Sequence, residues 1–213
     1  MSNPPTRHIL IVLDRSGSME SVRADAEGGL RAFLAEQATA STEDVVTLVQ
    51  FDSRIETVYE RRPLTEVPDF VLEPRGSTAL LDAIGITVSR EAGRIRTAPA
   101  AERPDHVVVV VQTDGHENWS REYTLDGVRA LIERMQQPNP GWTFVFLGAN
   151  QDAFAAGERM GFRSDTTLSY SGRNTTESLR RAGTMVARGT ETGLYTFTDD
   201  EREQAKPEAG PDR

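Results

Sequence analysis

The 213-residue chain contains no cysteine. That absence removes disulfides, thiolate metal sites, iron–sulfur clusters and cysteine nucleophiles together. Lysine is almost as scarce: of 24 basic residues only Lys206 is a lysine, and it lies in the C-terminal segment. A P-loop needs its lysine on the phosphates and no Gly-Lys-Ser/Thr occurs here, so nucleotide hydrolysis by that route is excluded, as is Schiff-base chemistry on a buried lysine. No apolar run approaches the ~20 residues of a membrane span, and Met1 to His8 is too polar for a signal peptide. An excess of positive charge is missing as well, the formal net charge being −9, whereas nucleic-acid binding calls for clustered basic residues. A soluble, cytoplasmic protein with neither a nucleic-acid nor a membrane partner is expected.

What is present is enough for one globular domain with a substantial core: 37% of the residues are hydrophobic and 27% charged. Two hydrophobic periods alternate. Ile9 to Leu13 reads as a buried strand, and Val22, Ala26, Leu30, Phe33, Leu34 and Gln37 then share one helical face. Gly28 and Gly29 weaken that helix, which points to close packing of helix on sheet. Val45 to Phe51 is a second strand, and Asp52-Ser53-Arg54 turns it into Ile55 to Tyr59, an antiparallel partner at the sheet edge. Arg61 to Gly76, with Pro63, Pro68 and Pro74, reads mostly as loop.

From Ser77 the period is helical again, with Leu81, Ile84, Val88 and Ile95 on one side. His106 to Gln112 holds five consecutive valines and reads as a central strand buried on both faces. Thr124 caps a helix with Leu125, Val128, Leu131, Ile132 and Met135 inward. After Pro138-Asn139-Pro140-Gly141 come a strand, Trp142 to Leu147, and a short helix from about Asn150 to Met160, stopped by Gly161. Asn174 and Glu177 have capping-box spacing before a last helix that Gly189 ends. Strands separated by helices imply a doubly wound α/β fold: a mainly parallel central sheet, one antiparallel edge strand and helices on both faces. We expect an N-terminal extension over 1–6, one domain over 7–193, and an acidic tail over 194–213 with little fixed structure from Asp199 onward.

The chemistry concentrates after the first strand, in Asp14-Arg15-Ser16-Gly17-Ser18. One carboxylate and two hydroxyls at alternate positions can converge on a hard divalent cation, for which oxygen donors suit Mg²⁺, Mn²⁺ or Ca²⁺. The same five residues also make an ordinary turn, with Asp14 in an Asx-turn or capping the next helix. Sites of doubly wound sheets lie beyond the carboxyl ends of the strands, where strand order reverses. Two further segments belong there: Gly76-Ser77-Thr78 before a helix, and Thr113-Asp114-Gly115 after the valine strand. Asp14, Ser16, Ser18, Thr78 and Asp114 then supply five oxygen-bearing side chains from three loops. His116, Glu117 and Asn118 follow Asp114 and would rim the site. Asp52 and Ser53 lie near the same rim or simply form the hairpin turn. His8 and His106 are too scattered for a zinc site.

In these motifs the chain resembles von Willebrand factor type A (vWA) domains with an intact metal-ion-dependent adhesion site (MIDAS). The pattern is Asp-x-Ser-x-Ser after the first strand, a threonine before a later helix and Asp-Gly after the fourth strand, matched here over roughly residues 7 to 189. Phe146-Leu147-Gly148-Ala149-Asn150 and the compact length are similar to small bacterial stand-alone members. The resemblance implies direct metal contacts from Ser16 and Ser18, contact from Thr78 in the ligand-bound form, and Asp14 and Asp114 acting largely through water. It implies Mg²⁺, with Mn²⁺ or Ca²⁺ as substitutes, and a partner protein that offers an Asp or Glu carboxylate as the last ligand. It also implies an alternative, a regulatory or scaffold subunit of an AAA⁺ or stress-response assembly of the tellurium-resistance kind.

Enzymatic readings fare worse. A haloacid-dehalogenase-like phosphohydrolase needs a second acid two residues after its aspartate, where Ser16 stands, and a lysine within the fold. Metal-assisted hydrolysis by bound Mg²⁺ needs a general base, for which His116 and Glu117 are the candidates. A non-enzymatic binding module is expected.

Overall fold

The chain has the alternating valine, isoleucine and leucine runs of a buried parallel sheet, and the computed structural model, which describes residues 5–40, 42–137, 141–149, 153–170 and 174–205, shows how they are used. Strand β1 (Thr6–Asp14) sends Ile9, Ile11 and Leu13 into one core and Leu10 and Val12 into another. β4 (His106–Thr113) divides its five valines the same way, Val108 and Val110 against Val107, Val109 and Val111. The middle of each strand is apolar at consecutive positions because both faces are covered.

The other strands are β2 (Glu43–Phe51), β3 (Ile55–Pro63), β5 (Gly141–Ala149) and β6 (Thr167–Tyr170), in the order β3-β2-β1-β4-β5-β6. All pairs are parallel except β2 with β3, the expected antiparallel edge. Helices α1 (Arg23–Gln37), α5 (Thr175–Thr192) and α6 (Asp199–Ala205) cover one face. α2 (Leu80–Thr97), α3 (Leu125–Met135) and α4 (Ala153–Arg159) contribute to the other. The chain leaves β1 toward the first face and β4 toward the second, so the strand order reverses between them and their C-terminal ends flank a crevice. No helix among the described residues is long and apolar enough to cross a membrane.

Several expectations are corrected. β6 carries no sequence signal because only Leu168 and Tyr170 of its four residues are large and apolar. Gly29 serves helix-on-helix rather than helix-on-sheet packing: a Cβ there would lie 2.7 Å from Leu179 Cδ1 and 2.9 Å from Thr176 Cα, both on α5. Gly183 answers from the other side, where a Cβ would lie 3.0 Å from Phe33 Cα. Leu125, the first residue of α3, is exposed instead of inward, while Thr124 caps that helix through its hydroxyl, which accepts from Gly127 N at 3.1 Å. The last helix runs past Gly189 to Gly193, whose φ of 73° makes it the left-handed C-terminal stop. Gly189 is instead a landing place for Tyr195, whose ring would meet a Cβ at 2.4 Å. Asn174 starts α5 without a side-chain cap bond.

The acidic segment also departs from expectation, since α6 begins within it. Thr198 and Glu201 form a reciprocal capping box: Thr198 N donates to Glu201 Oε2 at 2.7 Å and Glu201 N donates to Thr198 Oγ1 at 3.2 Å. Glu201 also accepts from Arg188 at 2.8 Å, and Phe197 and Ala205 join the core. Residues 1–4, 138–140, 150 and 206–213, on which parts of the turn, helix-start and terminal expectations fall, lie outside the described residues.

One partly buried histidine makes stability depend on pH. The His106 ring stacks on Tyr195 with centroids 4.7 Å apart, and Nε2 lies 3.0 Å from Thr143 Oγ1. Burial, with help from the Arg7 charge, pushes its pKa down to about 4 from an ordinary 6.5. The unfolded chain therefore binds this proton first on acidification, and stability falls as pH drops from about 6.5 toward 4. Urea unfolding at pH 7.5 and pH 5 checks it: wild type loses more stability between the two than His106→Phe.

Candidate metal centre

Asp14 closes β1 and is fully buried. Its Oδ1 accepts from Ser16 N at 2.7 Å and its Oδ2 from Thr113 Oγ1 at 2.5 Å. The turn reading of the pentapeptide thus holds locally, and the Asx-turn is what aims Ser16. Residues Gly17–Val22 form a 3₁₀ turn anchored by buried Met19. Ser16 precedes that turn but makes no side-chain cap bond; its hydroxyl sits 3.0 Å from Ser18 Oγ, which donates to Asp114 Oδ1 at 2.7 Å.

Thr78 is not a helix cap either, since α2 starts after Ala79 with no side-chain cap bond. Its backbone is stapled to Asn118 instead: Asn118 Oδ1 accepts from Thr78 N at 2.9 Å and Asn118 N donates to Thr78 O at 3.1 Å. That turns the Thr78 hydroxyl toward Gly115. A Cβ on Gly115 would lie 3.1 Å from Thr78 Oγ1, 3.5 Å from Ser18 Oγ and 3.6 Å from Ser16 Oγ. Three hydroxyls from two loops therefore surround a gap kept open by the missing side chain of the third. The structure brings Ser16, Ser18, Thr78 and Asp114 together around it, with Asp14 directly behind Ser16.

The electrostatics match a site that wants a cation. Burial pushes Asp14 up to about 6, against the pull of its hydrogen bonds from Thr113 and Ser16 and with a small push from Asp114. Burial raises Asp114 as well. Two carboxylates share a desolvated pocket, and a bound cation would relieve both. Among the described residues no three His, Cys, Asp or Glu side chains gather as a metal cage; this donor set is two carboxylates and three hydroxyls, a hard, oxygen-only group that fits Mg²⁺ or Mn²⁺.

The expected rim divides. His116 and Asn118 are exposed, and Asn118 is occupied in holding Thr78. Glu117 is a lock: Oε1 accepts from Trp119 N and Ser120 N, Oε2 from Leu81 N and Ser120 Oγ, all at 2.7–2.9 Å. Asp82 on α2 returns the favour, accepting from the backbone N–H groups of Arg121, Glu122 and Tyr123. The loop after β4 is thereby fixed to the start of α2.

Two of the positioning residues, Thr113 and Arg15, were not singled out from sequence. Thr113 joins Asp14 to the loop after β4, donating to Asp14 and accepting from Gly115 N at 3.1 Å; the β1–β4 register, which pairs Leu13 with Gln112, sets it beside Asp14. Arg15 is buried and turned away from the gap, with Nε donating to Asp52 Oδ2 at 2.9 Å and Nη1 2.9 Å from Glu56 Oε2. Asp52 serves the hairpin turn, accepting from Arg54 N at 2.7 Å, and also accepts from Arg75 Nε at 2.9 Å. Ser53 Oγ accepts from Ser77 N at 3.0 Å. The hairpin turn thus ties the loop after β1 to the loop before α2.

Comparison with known proteins extends the fold assignment. No protein-family profile matches the chain, and no curated protein matches it in sequence. Solved structures do. Proximal thread matrix protein 1 from the mussel byssus is similar over 83% of this chain and 47% of its own, with 14% identity and a TM-score of 0.59. A second structure of that protein has a zinc-occupied MIDAS motif. A von Willebrand factor type A protein from Catenulispora acidiphila is similar over 86% of this chain and 43% of its own, at 16% identity and a TM-score of 0.58. The vWF domain of the type V pili tip protein Mfa5 from Porphyromonas gingivalis covers 91% of this chain and 97% of its own, at 12% identity and a TM-score of 0.54. The chain spans about half the length of the first two proteins. These likenesses show a vWA fold.

Proposed function

We propose that the chain binds one hard divalent cation, Mg²⁺ in the first instance, through Asp14, Ser16, Ser18, Thr78 and Asp114, and uses it to dock a carboxylate of a partner protein. The observation that carries this reading is the gap at Gly115, faced by three hydroxyls and backed by two carboxylates whose ionisation burial disfavours. The hydroxyls of Ser16, Ser18 and Thr78 are neutral donors, so a cation held there keeps an electrophilic position for an incoming Glu or Asp oxygen. Asp14 and Asp114 supply the counter-charge, while Thr113, Glu117, Asn118 and Asp82 hold the three loops in register. Ser18 and the loop at His116 are exposed, so the site is approached from that side. The zinc-occupied MIDAS of the byssus protein, a structure of the same fold, supports the reading. The hydrolase alternative loses a base, because every oxygen of Glu117 already accepts hydrogen bonds.

Two measurements test the two halves of the proposal. Millimolar Mg²⁺ or Mn²⁺ raises the melting temperature of wild type and EDTA reverses the shift, since a ligand of the native state stabilises it by mass action. Gly115→Ala puts a methyl group into the gap and weakens cation binding by at least about tenfold, with the cation-free fold retained. An unchanged affinity in Gly115→Ala places the cation elsewhere. For the partner, a peptide array read over the Mg²⁺-loaded protein retains Glu peptides over their Gln counterparts, and EDTA abolishes the difference. Equal retention of Glu and Gln peptides removes the docking role.

A further inference from the structure

The opposite end of the sheet carries a second feature. Where α2 and α3 end and β5 begins, a groove of about 540 Å³ opens between the two helices. That is within the size range of small-molecule sites, roughly 300–1,000 Å³. Its floor is apolar, made by Ile95, Met135 and the nearly buried Trp142. Its rim is three arginines, Arg96, Arg103 and Arg134, and none of the described residues lining it is acidic.

In a chain of net charge −9 this is an unusual neighbourhood. On the same helices Arg94 pairs with Glu60 and Arg129 with Glu133, while Arg90 donates to Thr57 Oγ1 at 3.1 Å. Arg96, Arg103 and Arg134 have no carboxylate partner among the described residues. Arg103 is held in place, donating from Nε to Ala98 O at 3.0 Å. The negative ends of the α2 and α3 dipoles account for Arg96 and Arg134 being in last turns. They do not account for three arginines lining one open apolar floor. Gly93 adds an independent observation: it lies in the groove, inside α2, and a Cβ there would meet nothing within 4 Å. A glycine in a helix interior costs about 1 kcal/mol relative to alanine, and no neighbour requires this one. A side chain there would project into the open space of the groove.

We propose that this groove binds a small organic anion with an apolar body, an aryl or medium-chain acyl carboxylate or phosphate. The apolar body lies on Trp142, Ile95 and Met135 above Gly93, and the anionic head meets the arginine forks, which suit carboxylate and phosphate alike. The site is independent of the metal centre and needs no cation.

The probe is 8-anilinonaphthalene-1-sulfonate, titrated into the full chain in EDTA, with its neutral analogue N-phenyl-1-naphthylamine alongside. The expected result is saturable single-site binding with energy transfer from Trp142, lost in Trp142→Phe, and at least tenfold weaker binding of the neutral analogue. Gly93→Leu, placed where a Cβ meets nothing within 4 Å, and the surface pair Arg96→Gln/Arg134→Gln each weaken the anionic probe at least tenfold, with Gly93→Leu melting no lower than wild type. Displacement by octanoate assigns a carboxylate ligand and displacement by octyl phosphate a phosphate. Failure of both to displace the probe, equal binding of the neutral analogue, or full affinity in Gly93→Leu overturns the proposal.

Discussion

Asp14→Asn is expected to raise the melting temperature of the cation-free protein at pH 7.5 and to abolish any further rise on adding Mg²⁺. The sign follows from burial. Asp14 ionises at about 6 in the fold against an ordinary 3.8, so the cation-free fold loses stability as pH rises through that interval and carries the full cost above it. A shift of that size corresponds to on the order of 2–3 kcal/mol, or roughly 5–10 °C in melting temperature for a chain of this length. Asn keeps the geometry: its carbonyl accepts from Ser16 N, and its amide donates to Thr113 Oγ1 in place of the present bond. A cation reverses the ranking, because it stabilises the ionised wild type and not the neutral variant. Differential scanning fluorimetry with Mg²⁺ and with EDTA checks both halves. A variant less stable than wild type in EDTA would mean that Asp14 is not an uncompensated charge.

Asp52→Ala is expected to have the opposite character, a large loss of stability with or without a cation. Asp52 is the buried junction of two guanidinium groups and the hairpin amide at Arg54. Removing one partner of a buried ion pair leaves the other charge without compensation, at a cost of about 3–5 kcal/mol. Among the described residues Arg15 keeps only Glu56 as a carboxylate partner, and that side chain is half exposed. The loops that present Ser16 and Thr78 both hang on this turn, so cation affinity falls as well. Urea unfolding together with cation titration separates this outcome from Asp14→Asn, which loses affinity while gaining stability.

The contrast between these two aspartates marks how far the sequence can be read. Strand and helix periods carried the doubly wound architecture because a strand covered on both faces is apolar at consecutive positions through its middle, as the valines of β4 show. The five candidate ligands were legible because each is a short motif at a strand or helix end, and the topology brings four of them around one gap with Asp14 behind. Roles that depend on register were not legible. Thr113 acts through its neighbour across β1 and β4, and Arg15 acts away from the motif that contains it. Glu117 read as a rim residue because an exposed-looking acid beside a site invites that reading, whereas its oxygens are spent on amides of its own loop and of α2. The capping box of Thr198 and Glu201 was in plain view, but acidic composition outweighed it. α6 folds because Arg188 and the core beside Phe197 offer that segment partners, and composition alone cannot show them.

The central claim is that Gly115 leaves room for a cation among the hydroxyls of Ser16, Ser18 and Thr78. Crystals soaked in MnCl₂ and measured for anomalous scattering test it most directly. The account predicts one anomalous peak in that gap, with Ser16 Oγ and Ser18 Oγ turned onto it as ligands. An empty gap, with Ser18 still donating to Asp114 at 2.7 Å as in the cation-free fold, would contradict it.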